Sequence, residues 1–348
     1  MSTLDECIEQ LVCPDEAERI YAAEDLGYLN LPEGVPALLD RLPDESSPAV
    51  RDAIFQALIR MDGDAAIEGA IRLLESEDSQ IRNQAVVVLR RKGARSAPFL
   101  AKVMRTGDRD LRKLALDVMS GMQVGGGEIY AAALDDPDAN VVITAVENLG
   151  RIRAVEFRGR IENLVQQDLH PMLTAACLEA LVGIGEESSL AAIRKRFPEP
   201  RTLPDFLLGS YLEAIAALGT ACEFAELASL LPVRGSHLRS AILGALLAIQ
   251  PRCPFAPPNE DLLRSLQAVA EDGDPPLARY QAVRVLGFWA ARDDVCAFLV
   301  SSLSSLERLV RLAAAESLRA TARPGLEPLL AARALEETDD EVLQALGC

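Results

Sequence analysis

One nine-residue pattern of apolar and polar positions returns along the whole chain. It reads Val50-Arg51-Asp52-Ala53-Ile54-Phe55-Gln56-Ala57-Leu58 in one clear copy and Ile81-Arg82-Asn83-Gln84-Ala85-Val86-Val87-Val88-Leu89 in the next. Numbering its places from zero, the first falls at Glu18 (an atypical first copy), Val50, Ile81, Leu111, Val141, Leu173, Leu207, Leu238, Ala278, Val310 and Val342. These eleven copies are spaced mostly 30 to 34 residues apart. Place eight carries Leu26, Leu58, Leu89, Met119, Leu149, Leu181, Ile215, Leu246, Leu286 and Leu318, and place four is mostly small, as at Ala22, Ala85, Ala115, Ala145, Cys177, Ala282 and Ala314. Steps of four keep these places on one side of an α-helix, so that side is the one expected to be buried. Small residues at its centre let stacked helices approach closely.

A second amphipathic segment precedes each copy, for example Val35 to Leu42, Ala97 to Met104 and Leu262 to Ala270. Turn residues separate the two. Ser46-Ser47-Pro48, Gly107-Asp108, Asp135-Asp136-Pro137-Asp138 and Asp272-Gly273-Asp274-Pro275 supply caps and early-helix prolines. Gly27, Gly93, Gly150, Gly185, Gly219 and Gly287 are expected to cap the second helices at their C-termini. No stretch alternates with period two for long enough to make a strand. The pattern therefore predicts an all-α protein of about 22 short helices in roughly eleven pairs, stacked as one solenoid over residues 1–348.

Two proline clusters lengthen the repeat. One is Pro198 to Pro204, and the other lies in the irregular loop 251–259, which stretches one interval to 40 residues. Such insertions are binding loops in some solenoids and packing straps in others. The last copy, residues 338–348, is short and is expected to act as a cap.

Composition narrows the partners. Apolar residues make up 49% of the chain and aromatic ones only 4%, which suits interfaces filled by Leu, Ala and Val. The formal net charge of −18 repels phosphate, so neither nucleic acid nor an anionic membrane is an expected partner. Seven scattered cysteines without a C-x-x-C indicate neither a disulfide framework nor a zinc site. The start lacks the basic and apolar regions of a signal peptide, and no apolar run reaches membrane-spanning length. The cytoplasm is the expected location.

The apolar-Arg-x-x-Ala-x-x-x-Leu pattern, with Asp/Pro turns before it and Gly after, resembles the HEAT-like repeats. It is similar in particular to the short bacterial variety named after the phycobilisome lyases. The resemblance implies a right-handed α-solenoid whose second helices line the concave side. It also implies that the Arg at place one bonds acids of the neighbouring repeat, a ladder matched here by Arg19, Arg51, Arg82, Arg112, Arg239, Arg279 and Arg311. Val142, Thr174 and Leu208 interrupt that ladder in three consecutive central repeats.

Place six points away from the buried side, toward solvent. It carries Asp117, Glu147, Glu179 and Glu213 in successive repeats, three of which lack the ladder Arg. Exposed charges about 10 Å apart repel by only about 0.4 kcal/mol in water, so the row is also compatible with a merely solvated surface. Its functional reading is a stripe that captures a basic segment of a protein partner. Tyr21, Tyr28, Tyr280 and Phe288 are candidate apolar anchors beside it, whereas Trp289 is a core residue.

Enzymatic signatures are missing. Only His170 and His237 occur, both read as turn or cap residues, and there is neither an H-E-x-x-H nor a P-loop. Gly125-Gly126-Gly127 follows a helix and reads as a turn. No catalytic residue, cofactor or metal is expected. The expected function is a non-enzymatic scaffold that binds a protein with a basic surface or peptide. The alternative, implied by the family resemblance, is a bilin lyase or cofactor-handling chaperone holding a chromophore in its groove.

Overall fold

In a computed structural model of the chain, residues 3–122, 127–167, 170–252, 258–271, 273–321 and 323–347 are described. Gly125, Gly126, residues 253–257 of the proline-rich loop, Asp272, and the terminal Cys348 lie outside them. The described residues contain 22 α-helices and no strand. They pair as the pattern predicts, the first helix shorter than the second in every pair but α17–α18 and α21–α22.

The helices gather into two compact units, residues Met1–Phe157 and Arg158–Cys348. In the first unit the pairs are α1 (Leu4–Gln10) with α2 (Glu16–Leu29), α3 (Gly34–Arg41) with α4 (Pro48–Arg60), and α5 (Asp64–Leu73) with α6 (Ser79–Lys92). Then come α7 (Ala97–Thr106) with α8 (Arg109–Met122), and α9 (Gly127–Ala133) with α10 (Ala139–Arg151). The second unit opens with α11 (Arg158–Val165) and α12 (Pro171–Ile184), α13 (Glu187–Arg196) and α14 (Asp205–Leu218), and α15 (Ala221–Ala228) and α16 (Ser236–Ile249). It continues with α17 (Glu260–Glu271) and α18 (Pro276–Leu286), α19 (Asp293–Ser302) and α20 (Arg308–Ala320), and α21 (Leu326–Ala334) and α22 (Asp340–Leu346).

Caps start these helices where the turn residues stand. Ser47 accepts from the Val50 N–H at 3.3 Å to open α4, with Pro48 at its first position. Asp15, Asp78, Asp138 and Asp339 cap α2, α6, α10 and α22 in the same way. Within each unit the second helices stack in chain order, α2 on α4, α6, α8 and α10, and α12 on α14, α16, α18, α20 and α22. Their shared core is the face at places zero, four and eight. Ala22, Ala85, Ala115, Ala145, Cys177, Ala282 and Ala314 are fully buried there, flanked by Leu26, Leu58, Leu89, Leu149, Leu181 and Leu286.

Two of the expected glycine caps are not caps. Gly27 lies inside α2, whose end is marked instead by Asn30 in the left-handed conformation, and Gly150 lies inside α10. Gly27 is a close-approach point: a Cβ there would sit 2.8 Å from Ala57 Cα on α4. Gly93, by contrast, closes α6 with φ of +58°, and Gly185, Gly219 and Gly287 follow the last residues of α12, α14 and α18.

Candidate functional site

Place six falls on successive second helices of each unit. On α18 and α20 its occupants touch, Arg284 Nη1 lying 3.3 Å from Glu316 Oε2, and the Tyr280 hydroxyl donates to the same carboxylate at 2.9 Å. On these two helices the position is presented side by side.

The four candidate carboxylates divide between the units. Asp117 on α8 and Glu147 on α10 stand on stacked helices of the first unit, and Glu179 on α12 and Glu213 on α14 on stacked helices of the second. The surroundings of the two pairs differ. Asp117 is half-buried and paired with Lys113, one turn earlier, at 2.9 Å, while its carbonyl accepts from Arg90. Glu147 is exposed, with Arg151 one turn later on the same helix. Basic residues thus accompany both acids of the first unit.

The second pair has no such company. Neither α12 nor α14 contains a single Lys, Arg or His. Glu179 and Glu213 are exposed, and the Ser210 hydroxyl of α14 donates to Glu179 at 2.9 Å, tying the two helices together beside the row. Arg234, in the turn before α16, and His237, in the first turn of α16, are both engaged with Asp205 at the start of α14, at 3.0 and 2.9 Å.

The arginine ladder forms in part. Arg19 bonds Glu45, Arg51 bonds Asp78, Arg112 bonds Asp136, Arg239 bonds Asp274 and Arg311 bonds Glu337, each reaching the turn of the next repeat. Arg82 bonds carbonyls of its own turn, and Arg279 bonds the Ala270 and Glu271 carbonyls at the end of α17. Where Val142, Thr174 and Leu208 break the ladder, ion pairs move to the first helices of the second unit. Arg158 of α11 pairs with Glu186 just before α13, and Arg194 of α13 with the buried Glu223 of α15. Neither of these pairs involves a side chain of α12 or α14.

The aromatic residues singled out in the sequence differ in exposure and packing. Tyr21 and Tyr28 are exposed on α2, with the Arg60 guanidinium 4.0 Å over the Tyr28 ring. Tyr280 is held by Glu316, and Phe288 packs edge-on to Trp289 at 6.0 Å, with Trp289 buried as expected. The place missed by the pattern is the residue just before place zero. Met172, Phe206 and Leu277 occupy it and are 56%, 53% and 55% exposed. The signal was present: seven residues before place six is about two helical turns, hence the same side of the helix.

His170 caps α12 by accepting from the Met172 N–H at 3.3 Å, as its turn position implies. The remaining perturbed groups are structural. Burial pushes Glu226 up, against the hydrogen bond it accepts from the buried Tyr211 hydroxyl at 3.2 Å. Burial also raises the Cys177 thiol to about 12, leaving it protonated and inert at neutral pH. Among the described residues no three His, Cys, Asp or Glu side chains gather to hold a metal ion, and no helix is long and apolar enough to cross a membrane.

The family model of HEAT repeats matches residues 4–90 and 263–347. Among solved structures, Kap95p, described with RanGDP, covers 99% of this chain and 56% of its own at 13% identity and a TM-score of 0.60. Importin beta covers 98% and 51% at 15% identity with a TM-score of 0.54, and Kap121p bound to Pho4p covers 99% and 45% at 14% identity with a TM-score of 0.53. The chain spans about half the length of these proteins, and at such identities the likeness shows the fold. No curated protein matches the sequence. The paired helices, the ladder and the matches at both ends place this chain in the HEAT-like repeat family.

Proposed function

We propose that this chain is a non-enzymatic scaffold that binds other proteins through the solvent faces of its second helices. In this reading Asp117 and Glu147 in one unit, and Glu179 and Glu213 in the other, recognise basic segments of a partner. The observation that carries it is the pair of exposed carboxylates on α12 and α14, two stacked helices without a basic residue. A solved relative of the same fold, Kap121p, is described bound to the protein Pho4p, which supports a protein rather than a small molecule as the ligand. The net charge of −18 acts in the same direction, drawing basic surfaces in and speeding encounter.

The test is affinity capture on the purified full-length chain, repeated with E147K, E179K and E213K combined. Loss of the captured proteins, with the wild-type set released as salt rises, is the expected result. Capture of the same proteins by the reversed variant at each salt concentration would remove the carboxylates from the site.

A further inference from the structure

We infer that the α12–α14 face is a composite docking surface, whose occupant is a segment of another protein that pairs large apolar side chains with Arg or Lys about 10 Å away. The inference rests on the protein-binding reading above and specifies the partner's chemistry at one face.

The face has two halves. At the N-terminal end of the helices, Met172 and Phe206 stand one residue before the repeat pattern and expose more than half of their surface. Seven residues later on each helix stand the exposed Glu179 and Glu213. Seven residues are two turns, about 10.5 Å, and stacked helices lie about 8–10 Å apart, so the four side chains mark the corners of a patch about 10 Å on a side. Small residues such as Ala176, Gly209 and Ser210 lie between the apolar and acidic corners, leaving room for a chain to lie against the helices.

A single exposed apolar residue is ordinary on a protein surface. Here Met172, Phe206 and Val182 are exposed on two neighbouring helices, and the only charged groups presented with them past the capping turns are acids. An apolar partner alone would leave the two carboxylates facing a desolvated surface, and a basic partner alone would leave the apolar pair in water. A segment carrying both satisfies both halves. The 10 Å separation corresponds to about three residues of extended chain or seven of helix. The equivalent face of α8 and α10 lacks this character, because Lys113 and Arg151 stand beside its acids.

The experiment places p-benzoylphenylalanine at position 182, next to the patch, and separately at position 56 on α4 of the other unit, in the full-length chain expressed in its native cells. Photo-adducts are digested and the crosslinked segment is sequenced by mass spectrometry. The expected segment from position 182 contains an apolar residue and Arg or Lys at the spacing given above. Adduct yield should fall about tenfold in E179K/E213K and again in M172S/F206S, both checked for native circular dichroism. An acidic or base-free segment, a second copy of this chain, or a yield indifferent to both double variants overturns the inference. Adducts at position 56 without any at 182 also overturn it and leave the protein-binding reading standing. Absence of adducts at both positions overturns the two together.

Discussion

Glu45 receives five hydrogen bonds: two from Arg19 at 2.8 and 3.2 Å, two from Arg41 at 2.9 and 2.7 Å, and one from the Ser47 N–H at 2.8 Å. Burial alone would raise its pKa, and these donors outweigh it and bring it down to about 2. Glu337 is held at about 2 by Arg311, against burial, with the N–H groups of Asp339 and Thr338 helping. Both carboxylates titrate below their ordinary 4.5, so their contribution is fully present above that pH and is lost as pH falls toward 2. Equilibrium unfolding followed between pH 6 and 2 should show this loss, and E45Q should flatten it. Glu45→Ala should cost about 3 kcal/mol by denaturant titration, because it removes the charge partner of the buried Arg19 guanidinium and leaves it only the Cys13 and Pro14 carbonyls. A cost under about 1 kcal/mol would mean that the Cys13 and Pro14 carbonyls suffice for Arg19. At this scale the arginine of the ladder is legible in the sequence but its acceptor is not. Glu45, Asp136, Asp274 and Glu337 sit in turns rich in carboxylates, and only the packing selects one from each.

Helix by helix, the period fixed much of what matters. Places zero, four and eight needed only the 3.6-residue turn, so the buried face was legible without any tertiary knowledge. Glycine was not. Gly93 and Gly27 look alike in the sequence, yet Gly93 is required by a backbone at φ +58° and Gly27 by the approach of α4. Gly93→Ala should cost about 1–2 kcal/mol through backbone strain, with the helix packing unchanged. Gly27→Val should cost about 1–3 kcal/mol or more, because its side chain meets the Ala57 backbone and pushes α2 from α4. Adding Ala57→Gly should recover part of the loss at Gly27 and none at Gly93, which a double-mutant cycle would read directly. The exposed Met172 and Phe206 escaped the pattern for a related reason. They lie outside the nine-residue frame, on a side that the hydrophobic period does not mark.

For the molecule as a whole, the charge of −18 said more about what is excluded than about the site. Four carboxylates share a repeat position, but their neighbours decide which of them is available. Lys113 takes Asp117, whereas α12 and α14 offer nothing basic to Glu179 and Glu213. Partner binding should weaken as salt rises, with E179K/E213K removing most of that dependence and D117N little of it, as measured by titration at several ionic strengths. The most direct measurement is hydrogen exchange on the full-length chain with and without the partner that it captures. Slowed exchange concentrated in α12 and α14 is the predicted result. Slowing confined to the first helices or the connecting turns, with α12 and α14 unchanged, would contradict the assignment of that face.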